Sequence, residues 1–474
     1  MNSTPEQVLD IEDALVSESN PARVDGSLDY GRCARLHNYL VAYGWMIRHG
    51  QETPDLNALA NQPLILADED LEAIRVRLVP SVKSFLDLIF AAEPDMFYWV
   101  HNVTMQFCDE NFPDEENELD DKERFVVIYA TVCDLGSHCL GVVYDQQLHR
   151  AAFPMTLENL DSVQPIGDHE EMWFPLETIL THWIYMLQIG KITADFHEDE
   201  VPEDLKMSRS QIGIWSWLPY CPAQVDSTVA AIDRYSAAIE ARMPPESLLP
   251  ISRDTPLFTN SELDAASVPE ECFTRSVLTK IKTPRFRAIA PGLEVPHDAA
   301  AFASCQKFTD VPRDHSWGQN IPPVLLFAAA DSNRTINFTE EMRWLFFGPE
   351  DDVPLGEHDL IPAGLYSESV RRCEYDTEEA GFRLLLPFGL QEAIMSDGSS
   401  VQSGSVTELF QHGVFHPFGG ERRAQRLERL MDRWRELVES GVWTVGRDGV
   451  EGSIDKFRDA DGEARTDYWI SPDW

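Results

Sequence analysis

The chain has 474 residues, 43% hydrophobic and 10% aromatic, with 81 acidic side chains against 38 basic ones and a net charge of −43. At roughly 100–200 residues per domain this suggests two or three domains, and so much apolar surface argues against global disorder. The charge disfavours nonspecific contact with nucleic acid or an anionic membrane, and no apolar run approaches the ~20 residues of a spanning helix.

Residues 1–30 are acidic and lack apolar periodicity, so they read as a loose leader. They carry neither the basic n-region nor the apolar core of a signal peptide, and a soluble, cytoplasmic chain is expected. Residues 33–49 place Leu36, Leu40, Tyr43 and Ile47 at helical spacing, with Gly50 as a stop. A second helix carries Leu71, Ile74 and Leu78, and Pro80 ends or kinks it. Residues 109–121 form an acidic loop. FVVIYATV and LGVVYDQQ follow as a hairpin or adjacent strands, separated by CDLGSHC. Helices are predicted from Pro175 to Gly190 and from Pro222 to Met243. The regions are then a leader (1–30), a helical region with a β-hairpin (31–245) and a mixed region (246–474).

In the last region PEECFTRSVLTKI reads as helical and RFRAIA as a strand. PPVLLFAAADSNR reads as a buried strand entering a polar loop, and GFRLLLPFG as another buried run. Residues 421–438 form an amphipathic helix with Ala424, Leu427, Met431, Trp434 and Val438 on one face. DYWISPDW is an aromatic tail that docks on the body. The class is α+β, helix-rich with a modest mixed sheet.

Dinucleotide, phosphate-loop, nucleophile-elbow and zincin patterns are absent. No cofactor and no metal is expected: Cys133, His138 and Cys139 have loose spacing and read better as part of a hairpin. The eight cysteines are expected as free thiols. Paired carboxylates three apart, Asp448/Glu451 and Asp376/Glu379, can grip a guanidinium or act as acid and base. Asp195/Glu198, within an acidic loop, reads as solvated. His412 and His416 lie four apart in HGVFHPFGGERR, a glycine-rich loop that either caps the next helix or holds an anion. Asp331, Asn333 and Arg334 follow a buried strand, where either ligand contact or plain turn geometry fits. Lys280, Lys282, Arg285 and Arg287 form a basic island, and Arg422 and Arg423 open the Arg-rich helix. Both are candidate phosphate contacts, against the alternative of salt-bridged surface.

PPVLLFAAADSNRTINFTEEMRWLFF, the block from GVFHPFGGERR to KFRDAD, and DYWISPDW resemble the arginine-containing cyclodipeptide synthases of filamentous fungi. The resemblance is strongest over the last third. It implies a cofactor-free enzyme of fungal specialised metabolism that joins the aminoacyl groups of arginyl-tRNA and a second charged tRNA into a cyclic dipeptide. The carboxylate pairs would then receive the guanidinium and the basic islands the tRNA phosphates. Two alternatives stand beside it. One is a tRNA-independent small-molecule transferase or hydrolase centred on His412, His416 and the Asp331–Arg334 loop. The other is a non-enzymatic acidic interaction protein. Neither DNA nor a membrane is an expected partner.

Overall fold

The computed structural model describes residues 4–62, 71–112, 123–132, 140–195, 211–252, 254–309, 320–347, 355–356, 359–372, 376–420 and 423–474. The chain divides into two compact units. The first is Met1–Leu218 with Val414–Arg422 and Pro472–Trp474, and the second is Pro219–Gly413 with Arg423–Ser471. Both mix helices with antiparallel strands, so the class is α+β.

In the first unit, helix α1 (Tyr30–His49) starts where the Asp29 side chain accepts from the Arg32 N–H, and stops at Gly50 with φ 59°. It buries Leu36, Leu40 and Val41 and packs against α2 (Leu176–Gln188). A four-stranded antiparallel sheet runs in chain order through β1 (Val100–Phe107), β2 (Phe125–Thr131), β3 (Val142–Asp145) and β4 (Arg150–Ala152). Strands β2 and β3 lie in the predicted β-branched runs. Strand β1, which no sequence pattern marks, pairs with β2 through a register broken by two irregularities. Residues 4–30 are not loose: Val8, Ile11, Ala14 and Leu28 are buried. The Arg32 guanidinium ties the segment down by donating to the carbonyls of Ala14, Leu15, Asn20 and Pro21. At the other terminus Trp474 is buried, with its ring near Trp217 and Tyr185.

The second unit opens with α3 (Pro222–Glu240), so the division at 218/219 precedes this helix, whereas the sequence reading drew it after the helix at 245/246. The helix belongs here because Val225, Ile232, Tyr235 and Ile239 share a core with Trp434 and Leu437. A five-stranded antiparallel meander follows: β5 (Ala288–Ala290), β6 (Leu293–Glu294), β7 (Leu325–Ala329), β8 (Gly364–Ser367) and β9 (Phe382–Leu385). Between β6 and β7 lies the short helix α4 (Ala299–Cys305). Helix α5 (Leu427–Glu439) packs against α3 through Leu427, Leu430, Met431, Trp434 and Val438. It begins six residues later than its amphipathic pattern predicts. Residues 425–427 instead pair as extended chain: Phe382 N donates to Gln425 O, Leu427 N donates to Ala380 O, and Gly381 bridges Arg426.

Among the described residues no helix is long and apolar enough to cross a membrane. The described cysteines Cys33, Cys108, Cys221, Cys272 and Cys305 are free thiols.

Candidate functional site

The second unit holds a cleft of about 560 Å³ beside the end of strand β6. Its origin is a mismatch in strand length. Strand β6 pairs with β7 only through Leu293 and Glu294, opposite Ala329 and Ala328. The chain then turns away at Pro296 and enters α4, so β6 does not continue along the edge of β7 at Leu325. Gln306, just past α4, fills that gap. Its amide donates to Leu325 O at 3.1 Å and to Phe302 O at 3.2 Å, and accepts from Leu325 N at 2.9 Å. A side chain thus imitates a neighbouring strand, satisfying backbone groups that would otherwise lose hydrogen bonds at a cost of ~1–3 kcal/mol each. The clamp fixes α4 against the sheet and leaves an opening walled by Ile251, Val295, Phe302, Leu325 and Leu326.

The polar groups of the cleft divide by whether the fold has used them. Asp298 caps α4, its Oδ1 accepting from Ala300 N at 2.9 Å and Ala301 N at 3.0 Å. His297 Nε2 lies 2.8 Å from the Phe286 carbonyl. A carbonyl only accepts, so Nε2 carries the proton and Nδ1 of the neutral ring keeps its lone pair. Among the described residues nothing bonds that Nδ1. Arg287 and Glu294 line the same cleft, both exposed, and neither forms an ion pair with a described residue. Val295 N donates to Arg287 O at 2.8 Å, which sets Arg287 beside the strand that carries Glu294 and leads to His297. Cys305 sits at the far end of α4. Its helix, about 10 Å long, separates it from His297, so the two form no nucleophile–base pair.

The basic island is mostly consumed by the fold. Helix α3 carries Asp226, Asp233 and Glu240 seven residues apart, on one face. Lys280 pairs with Asp226 at 2.9 Å, Lys282 with Asp233 at 3.4 Å, and Arg285 with Glu240 at 2.6 Å through a forked contact. Glu240 beside Arg285 also holds the guanidinium above its ordinary pKa. Only Arg287 of the four lacks an ion pair among the described residues. Within α5, Arg433 pairs with Glu436 and Arg435 with Glu439, while Arg429 donates to Ser471 O. Arg422 lies outside the described residues, as do Cys133, His138, Cys139 and Glu198.

The carboxylate pairs separate by environment. Asp376 and Glu379 are buried, and each faces an arginine of the same unit: Asp376–Arg423 at 3.6 Å and Glu379–Arg372 at 2.5 Å. Glu379 also accepts from Phe273 N at 3.0 Å. Their capacity for a guanidinium is thus spent within the protein. Glu368 nearby pairs with Arg383 at 2.6 Å, and burial pushes its carboxyl above the usual range. Asp448 and Glu451 are exposed, Asp448 within a turn closed by a bridge between Val445 and Val450 and Glu451 just after it. The flanking Gly449 is needed for the protein's own packing rather than for a ligand: a Cβ there would stand 2.2 Å from Ala288 O. The Asp448 carbonyl accepts from Arg287 N and Ala288 N, so this turn secures the backbone at the cleft.

His412 and His416 are both buried, off any helix, and fall in the second and first unit respectively. Asp331 and Asn333 build a turn, with Asp331 Oδ1 accepting from both the backbone N and Nδ2 of Asn333 at 2.9 Å. Arg334 pairs with Asp455 at 2.5 Å. Asp331 and Asn333 thus serve turn geometry, while Arg334 makes a long-range ion pair within the second unit. The first unit holds a further histidine that no sequence motif marks. His37 Nε2 lies 2.9 Å from Phe90 O, and Nδ1 lies 3.0 Å from Tyr129 Oη. Burial lowers its pKa to about 4. On the same face of α1, the Cys33 thiol donates to buried Glu177 at 3.6 Å, and burial together with that carboxylate raises its pKa.

Among the described residues no group of three or more His, Cys, Asp or Glu side chains is placed to hold a metal ion. Compared with protein-family models, curated proteins and solved structures, the chain matches none.

Proposed function

We propose that this protein transforms a small molecule held in the cleft of the second unit, with His297 as general base. The observation that carries the reading is the combination of a pre-formed cleft of about 560 Å³ and a histidine whose tautomer the Phe286 carbonyl fixes. Ligand sites of roughly 300–1,000 Å³ are mostly apolar with a few convergent polar groups, and this cleft fits that description. An imidazole held by one nitrogen presents the other to substrate in a defined orientation, as general-base catalysis requires. The test is incubation of purified protein with native small-molecule extract, followed by mass spectrometry. A metabolite change that is independent of charged tRNA and lost in His297→Gln is expected. An unchanged turnover in His297→Gln would remove the histidine from the chemistry.

The second reading is tRNA-dependent synthesis of an arginine-containing cyclic dipeptide. The resemblance of the C-terminal third supports it, and so does the open carboxylate of Glu294, which is free to receive a guanidinium in the cleft. The internal pairing of Lys280, Lys282 and Arg285 counts against these residues as phosphate contacts. Expression in a host with ordinary charged tRNAs discriminates. An arginine diketopiperazine among the products would favour this reading, and its absence from well-expressed protein would count against it.

A further inference from the structure

Arg287 and Glu294 are opposite charges that line one mainly apolar cleft, yet they form no ion pair with each other. Neither has an ion-pair partner among the described residues, although the rest of this surface is densely paired. Their backbones are held close together. Ala288 and Glu294 are direct cross-strand partners, and the Arg287 carbonyl accepts from Val295 N at 2.8 Å. A ligand bearing one charge would satisfy only one of the two. A ligand with a carboxylate and an ammonium a few ångströms apart would satisfy both, and its uncharged body would meet Val295, Phe302 and Leu325.

We infer that the cleft binds a zwitterion, an α-amino acid with an apolar side chain. Arg287 receives the carboxylate through its planar donor fork, and Glu294 receives the ammonium. His297 lines the same cleft, and no described residue bonds its Nδ1, which would accept a proton from the ammonium or from a bound nucleophile. The inference rests on the cleft being the working site and specifies its substrate class.

Three probes separate the charges: phenylalanine, phenylalaninamide, which keeps only the ammonium, and N-acetylphenylalanine, which keeps only the carboxylate. Binding is measured by calorimetry on the full chain, and on Arg287→Gln, Glu294→Gln and the cleft-filling Ala301→Trp. Phenylalanine should bind at least about tenfold more tightly than either derivative, the scale of one charge-assisted contact. Arg287→Gln should erase the preference over phenylalaninamide, and Glu294→Gln the preference over N-acetylphenylalanine. Ala301→Trp should abolish binding. Equal affinity for the three probes, or a preference that survives both charge substitutions, overturns the zwitterion. Binding of the neutral dye Nile red then tells the two ideas apart. If the dye binds and Ala301→Trp blocks it, the cleft stands as a ligand site without amino-acid selectivity. If neither dye nor probe binds, the site and the inference fall together.

Discussion

His37 in the first unit and His297 in the second are held by the same device and used in opposite ways. Each donates from Nε2 to a phenylalanine carbonyl, Phe90 O at 2.9 Å and Phe286 O at 2.8 Å. Each is therefore locked in one tautomer. The difference is what meets Nδ1. For His37 it is the Tyr129 hydroxyl, in a fully buried setting that pulls the pKa down to about 4. For His297 no described residue meets it, and the residue lines the cleft. A histidine whose two nitrogens are satisfied internally is a structural part. One with a single nitrogen satisfied is oriented but still available, and availability is what binding and catalysis need. The same contrast divides the charges, with Asp376 and Glu379 spent on arginines while Glu294 remains open.

The sharpest break of this comparison is His37→Ala. It empties a buried ring volume and leaves Phe90 O and Tyr129 Oη without their partner. The expected loss is about 3–5 kcal/mol, the range of large-to-small core changes with buried polar groups left unsatisfied. Urea unfolding followed by the fluorescence of the first unit's tryptophans measures it. A loss under about 1 kcal/mol would show that His37 is not the structural part described.

Acid provides the next test. The folded pKa of about 4 lies below the ordinary value of 6.5. The unfolded chain therefore takes up a proton at His37 before the folded chain does. This contribution to stability is complete above pH 6.5, falls as the pH drops from 6.5 towards 4, and is gone below that. At 1.36 kcal/mol per unit, the loss attributable to His37 is about 3 kcal/mol. His37→Gln should flatten the profile in that window, whatever its offset at pH 7. An equally steep profile in the variant would assign the pH dependence to other groups.

These contrasts also explain what the sequence disclosed. Helix α1 was legible because Leu36 and Leu40 repeat on one face and Gly50 ends it, and strands β2 and β3 because their β-branched runs are uninterrupted. The start of α5 was not legible, since pairing of residues 425–427 with 380–382 overrides local helix preference. The cleft was illegible for a different reason. Arg287, Glu294, His297 and Cys305 form no spacing motif, and a hairpin, a strand end and a short helix assemble them. The one local clue was the Asp298 cap after His297, which marks the start of α4. The basic island misleads for a related reason: its neutralising acids lie on α3, 45–54 residues earlier in the chain. Replacing Lys280 and Lys282 together by Gln should cost under about 1–2 kcal/mol, because exposed pairs contribute about 0.2–1 kcal/mol each. Unchanged stability in low salt would show that these pairs contribute nothing.

The smallest expected effect on folding belongs to His297→Gln, and its smallness is the point. The side chain is exposed and makes one hydrogen bond, to Phe286 O. A single such bond contributes about 0.5–1.5 kcal/mol, and a glutamine amide can reproduce the donor. Unfolding midpoints should therefore stay within about 0.5 kcal/mol of the parent chain, as for surface changes generally. What glutamine lacks is a basic nitrogen at the position of Nδ1, so any turnover in the cleft should fall by about 10²–10⁴, the usual contribution of a general base. The paired measurement decides the comparison. If His297→Gln destabilises the protein as much as His37→Ala, both histidines are structural, and the division between committed and available groups fails at its central example. A stable variant with lost turnover would confirm that leaving one nitrogen unpartnered is what separates a site from a core.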